Sequence, residues 1–185
     1  MADMTQGEIA GELVGACARG NRGIMTGKTL TRQARLSDAQ PIFDLVGANS
    51  DMLIPRSMGD IVSNIDRFVV ADDGGAICGC AAFVVHPEIG APESATVEIQ
   101  SLAVRADCRG AGIGRALVEA ILRKAAPFGA KEAIVLTFVP GFFASLGFAE
   151  TPKTKVMHKL YTGCINCTKH ANPFTCPEIA MTRAI

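Results

Sequence analysis

A chain of 185 residues with 49% hydrophobic side chains carries enough apolar material for one buried core, and 18 basic residues balance 18 acidic ones. That balance excludes the global field that draws a protein to nucleic acid or to an anionic membrane surface, so any anion binding is local. The first residues include Asp3, Glu8 and Glu12 with no long apolar run, which resembles neither a secretory signal nor a spanning helix and makes the cytoplasm the expected location.

In chain order, Ile9, Leu13 and Cys17 share a helical spacing that Gly20, Gly23 and Gly27 interrupt, and residues 1–28 read as a flexible arm. Thr29 to Leu36 reads as a first strand, with Ser37 and Asp38 capping a helix through Ile42, Phe43, Leu45 and Val46. Pro55 fixes a loop, Leu53 to Ser57, ahead of a helix from Met58 to Ile65. Two strands, Phe68 to Ala71 and Ile77 to His86, flank the turn Asp72 to Gly75. Alternation along the second of them puts Cys78 and Cys80 on one face as small buried residues. A further strand, Thr96 to Val104, runs through a glycine-rich turn into a helix with apolar positions Ile113, Leu117, Ile121 and Leu122. Ala133 to Phe138 is continuously apolar, the mark of a strand buried on both faces, and Gly141 to Leu146 is a short helix closed by Gly147. This strand, helix, strand order predicts a parallel crossover within an otherwise antiparallel sheet, a mixed α/β class.

The turn Arg109-Gly110-Ala111-Gly112-Ile113-Gly114-Arg115 suits a pyrophosphate. Its glycines let backbone approach a ligand, and the N–H groups that begin the following helix attract anions. The dinucleotide spacing G-x-G-x-x-G fails, because Arg115 or Leu117 falls at the last glycine, and no Gly-Lys-Ser/Thr is present for a nucleoside triphosphate. What remains, Arg109-x-x-Gly112-x-Gly114 after an apolar strand, resembles the acetyl-CoA motif of the GCN5-related N-acetyltransferases (GNAT). Glu98-Ile99, Leu102-Ala103-Val104 and Phe142-Phe143-Ala144-Ser145-Leu146-Gly147-Phe148 recur in that order in the family, and the resemblance spans residues 30 to 150. It implies the GNAT fold over residues 29–160, a mostly antiparallel sheet with a central parallel crossover and helices on both faces. It also implies acetyl-CoA as cosubstrate, with Leu102, Ala103 and Val104 along the pantetheine and Arg109 through Arg115 on the pyrophosphate. Within the family, Leu53 to Ser57, Val135 to Phe138 with Phe142-Phe143, and the cysteine tail look like the short bacterial N-acetylglutamate synthases. Those enzymes acetylate L-glutamate at the start of arginine biosynthesis.

By that resemblance Glu98 is the general base, a carboxylate whose pKa a partly desolvated cleft would raise toward neutrality. Gln100 lies on the same strand face, unless a bulge of the kind common in the family redirects both. Arg56, beside Ser57, offers a bidentate partner for the carboxylate that an amino acid presents, and no second cation is placed for glutamate's other carboxylate. Relatives carry a tyrosine where Phe143 stands, so the general acid is absent, is water, or is elsewhere, with Tyr161 and Ser145 both open. In the tail, residues 161–185, Cys164-x-x-Cys167-x-x-His170 with Cys176 offers a Cys3His set for structural zinc, with His158 a further ligand. Free thiols or one redox disulfide fit the same cysteines, and His86 reads as incidental. The expected partner is a small-molecule amino acid, with a homodimer left open. Competing readings are acetylation of another small amine or a protein N-terminus, and a non-catalytic acyl-CoA- or metal-binding regulatory domain.

Overall fold

The computed structural model describes residues 25–26, 29–88, 91–167, 169–170 and 172–185. Apart from Met25 and Thr26, the arm expected over residues 1–28 lies outside the described residues, and so does Cys17.

Eight strands form one sheet in the order β1-β2-β3-β4-β5-β6-β8-β7. They are β1 (Met25–Thr26), β2 (Thr29–Gln33), β3 (Phe68–Asp73), β4 (Ala76–Glu88), β5 (Ala91–Val104), β6 (Glu132–Thr137), β7 (Ala149–Glu150) and β8 (Ile179–Ala184). β5 and β6 pair in parallel and the other neighbours are antiparallel, as the crossover pattern predicts. The helices are α1 (Ala39–Gly47), α2 (Met58–Ser63), α3 (Ile113–Ala125), α4 (Pro140–Ala144) and α5 (Met157–Thr162). Among the described residues no helix is long and apolar enough to cross a membrane.

Both sheet faces are covered because the central strands carry long runs whose apolar side chains point alternately to either side. In β3, Val69 and Ala71 pack with Ile113, Leu117, Val118 and Ile121 of α3, while Phe68 and Val70 pack with Ile42, Leu45 and Val46 of α1 and Ile61 of α2. Leu117 and Ile121 are fully buried, each stabilising the fold by roughly 1.5–3 kcal/mol. β6 is likewise buried on both sides: Ala133 and Val135 face the α3 layer and Ile134 meets Val156 and Ala180.

Three local expectations change. Asp38 does not cap α1; its carboxylate accepts from the Arg35 backbone N–H at 2.7 Å and pairs with Arg32 at 2.7 Å, so a single turn of 3-10 helix, Leu36–Asp38, precedes α1. Cys78 and Cys80 are both buried but join opposite layers. The cause is a register shift: Ala71 pairs with Gly79 and Asp72 with Ile77, leaving Cys78 as the extra residue that inverts the alternation. The tail does not stand apart either, since β8 lies between β6 and β7 in the sheet.

Candidate functional site

The site begins where two strands part. β5 pairs with β6 only over Thr96–Glu132, Val97–Ala133 and Glu98–Ile134, although β5 runs on to Val104 and β6 to Thr137. On its other edge β5 stays with β4 through a bulge: Gln100 opposes Ala82 and Ala103 opposes Cys80, leaving Ser101 and Leu102 against Ala81. Ser101 takes φ 51°, the only positive φ outside glycine among the described residues. Its hydroxyl accepts from Arg56 Nε at 2.6 Å and its carbonyl from the Cys80 thiol at 3.6 Å, contacts that offset the left-handed conformation. The parting opens a cavity of about 430 Å³. Its walls come from the loop Leu53 to Arg56, from Glu98 to Leu102, from Val135 to Val139, and from the tail.

Beyond the bulge lies the glycine-rich turn. Gly110 and Gly112 take φ of 82° and 78°, which side chains resist, and Gly112 leads into α3 without any side-chain cap. The first N–H groups of this 13-residue helix are therefore left for a ligand. Gly114 serves packing instead: a Cβ there would sit 3.1 Å from the Phe142 ring. Arg109 is anchored by the Val104 carbonyl and Asn49, and Arg115 by the Ser145 carbonyl, so both charges stand beside the helix start. These features fit a pyrophosphate. Not every residue of the expected set offers its side chain: Ala103 and Ile113 are buried in the core, and only their backbone faces this task.

The acceptor side is charged. Arg56 bonds Ser101, Asp60 Oδ2 at 2.5 Å and Gln100 Oε1 at 2.5 Å, with its guanidinium 5.7 Å from the Phe68 ring centroid. Gln100 in turn donates to Glu98 Oε2 at 2.5 Å, which places both on one face despite the bulge that follows them. His86 Nε2 also meets Glu98 Oε2, at 2.8 Å, and Lys159 Nζ lies 2.7 Å from Glu98 Oε1. Thr162 contacts His86 Nδ1 at 3.1 Å. Burial alone would raise the Glu98 carboxyl, but the His86 hydrogen bond and the Lys159 charge outweigh it and hold the group below its ordinary value. The expected shift toward neutrality is thus reversed.

Other candidates fall elsewhere. Ser57 caps α2, its hydroxyl accepting from the Asp60 N–H at 3.1 Å, and does not line the cavity. Tyr161 is exposed and Ser145 donates to the Phe142 carbonyl; neither lines the cavity. Phe143 is buried edge-on against Phe142 and Phe148 and adds an apolar wall. Cys164, Cys167, His170 and Cys176 all line the cavity, but among the described residues no three His, Cys, Asp or Glu side chains are grouped to hold a metal. The Cys3His set expected for zinc is thus not gathered into one cluster among the described residues. The tail runs along the rim, where Lys153 binds the Pro173 and Cys176 carbonyls and Lys169 those of Ser50 and Asp51.

His86 and Lys159 were not read as site residues from the sequence. Hairpin register offered a route to His86, because Val84 opposes Glu98 and His86 shares the Val84 face. Lys159 had no such signal, being one of three lysines, with Lys153 and Lys155, in a short stretch before the tail.

A family model described as "Acetyltransferase (GNAT) domain" matches residues 64–150. An uncharacterised N-acetyltransferase of Chlorobaculum tepidum is 35% identical over 159 residues, covering 85% of this chain and 97% of that protein. An amino-acid acetyltransferase of Mycobacterium tuberculosis is 30% identical over 139 residues, 72% of this chain and 76% of that one. Among solved structures, a Mycobacterium tuberculosis protein in complex with CoA superposes with TM-score 0.69 at 25% identity, covering 84% of this chain and 99% of its own. The N-acetylglutamate synthase of Neisseria gonorrhoeae shares the fold, with TM-score 0.70 and 22% identity over 85% of this chain and 35% of that one. With this fold, this strand parting and these relatives, the chain belongs to the GNAT family of acetyl-CoA-dependent N-acetyltransferases.

Proposed function

We propose that the acceptor is the amine of an amino acid, with L-glutamate the leading substrate, and that the product N-acetylglutamate opens arginine biosynthesis. The observation that carries this reading is Arg56. A guanidinium on the cavity wall is fixed by three partners, which leaves two of its five N–H groups for a substrate carboxylate. A polyamine or other cationic acceptor would need free carboxylates. Of the three wall carboxylates, Asp60 is bound to Arg56 and Asn64, Glu98 to His86, Gln100 and Lys159, and Glu178 alone has no cationic partner among the described residues, so a polycation would find one free carboxylate and two fixed cations.

Bound acetyl-CoA supplies the thioester that the amine attacks. Leu102 and Val104 would flank the pantetheine in the gap beside β6, and Gly110 through Arg115 would take the pyrophosphate. Val135, Leu136 and Phe143 give the reacting end an apolar wall. Glu98 stays ionised at neutral pH and acts as a positioning residue, orienting Gln100 and Lys159, in place of the base role that the family resemblance implies.

The test is CoA release by the purified protein against the common amino acids and several polyamines. Turnover on L-glutamate is expected, and turnover confined to polyamines overturns the reading. With Arg56→Gln the KM for the amino acid should rise about ten- to hundred-fold, the equivalent of losing a charged hydrogen bond, while the KM for acetyl-CoA stays unchanged.

A further inference from the structure

We propose that Lys159 is a specificity-determining residue that receives the side-chain carboxylate of a dicarboxylic amino acid. The proposal rests on the reading of Arg56 as the partner of the α-carboxylate, and it supplies the second cation that the sequence did not reveal.

Three observations carry it. The first is donor accounting. Lys159 is 7% exposed and is among the residues that line the cavity, yet its ammonium has one acceptor among the described residues, Glu98 Oε1 at 2.7 Å. An ammonium has three N–H groups, and buried donors are almost always satisfied, so two remain for a group inside the cavity. The second is fixation. Glu98 cannot swing away with Lys159, because His86 and Gln100 hold its other oxygen at 2.8 and 2.5 Å. The third is clearance. A Cβ at Gly163 would lie 2.6 Å from Lys159 Nζ, so the glycine leaves the ammonium the space it occupies. The Gly163 N–H bonds the Lys159 carbonyl at 2.9 Å, which fixes the two residues together.

A purely structural ion pair would explain the contact with Glu98 but not the unspent donors on a cavity wall. Net wall charge does not decide the matter, since Glu178 lines the cavity too. What distinguishes Lys159 is a fixed cation with open hydrogen-bonding capacity, separated from Arg56 along the wall by Gln100 and Glu98. A carboxylate accepts from both of its N–H groups. An amide of the same shape offers one acceptor and turns an NH2 toward the ammonium, so L-glutamine is disfavoured.

The experiment compares kcat and KM for L-glutamate and L-glutamine in the parent, Lys159→Met and Gly163→Ala. In Lys159→Met the kcat/KM for glutamate should fall about ten- to hundred-fold, through KM, while that for glutamine changes little. Gly163→Ala keeps every wall side chain but displaces the ammonium, and it should shift the glutamate-to-glutamine ratio the same way. That second variant keeps the test decisive if the buried carboxylate left by Lys159→Met disturbs folding. An equal loss on both acceptors, or a change in kcat alone, overturns the proposal. If the parent acetylates neither amino acid, the reading of glutamate as the acceptor fails and this proposal fails with it. If the parent uses glutamate and both variants keep its ratio to glutamine, the proposal alone fails.

Discussion

Glu98 collects donors from His86, Gln100 and Lys159 in a wall that excludes water, and each offsets part of the cost of burying its charge. Removing the charge by Glu98→Gln leaves Lys159 and His86 without it, at an expected cost of about 3 kcal/mol at neutral pH. The sign of the pH dependence follows from the depressed carboxyl. The unfolded chain takes up the proton first as pH falls, so the stabilisation is present above the ordinary glutamate range and is lost as pH drops through the lower folded value. Urea unfolding of parent and variant should show a gap that narrows below about pH 4. A constant gap would contradict the buried ion pair. At this scale the sequence exposed Arg56, Glu98 and Gln100, because each sits in a motif or on a recognisable strand face. Lys159 was hidden, because nothing local distinguishes a lysine buried against a distant carboxylate from one in water.

At the scale of elements, periodicity placed β3, β4, β5, α3 and β6 well, since each has a long apolar pattern with one dominant period. Periodicity does not record what breaks a period, and the bulge in β5 was raised only by the family resemblance. The bulge at Ser101–Leu102 and the extra residue Cys78 both arise from pairing with a neighbouring strand, and a single strand's pattern does not record its partner's register. The bulge matters to function because it sets Ser101 against Arg56 just where β5 leaves β6. The start of α3 gives a direct test of the donor side. Alanine at Gly112, held at φ 78°, should cost roughly 1–2 kcal/mol and turn the first helical N–H groups out of line. Steady-state kinetics of Gly112→Ala should show a raised KM for acetyl-CoA with the amino-acid KM little changed. A variant with parental acetyl-CoA kinetics would remove this turn from cofactor binding.

For the whole molecule, the decisive feature is the return of the chain's last strand into the sheet. β8 covers the far edge of β6 and buries Ala180 and Met181, so removing residues 179–185 should expose that edge and unfold the domain. Burying Met181 alone is worth roughly 1.5–3 kcal/mol. Thermal unfolding and soluble yield of the truncated chain check this, and a parental melting temperature would contradict it. The same return carries the tail from α5 to β8 past the cavity and puts Cys164, Cys167 and Cys176 on its wall. By itself the sequence determined the class of fold and, through its resemblance to a family, the donor, because hydrophobic period and motif order are local and survive in one dimension. Only the tertiary structure decided the state of Glu98 and the burial of Lys159, because each depends on desolvation and on charges brought together from distant parts of the chain.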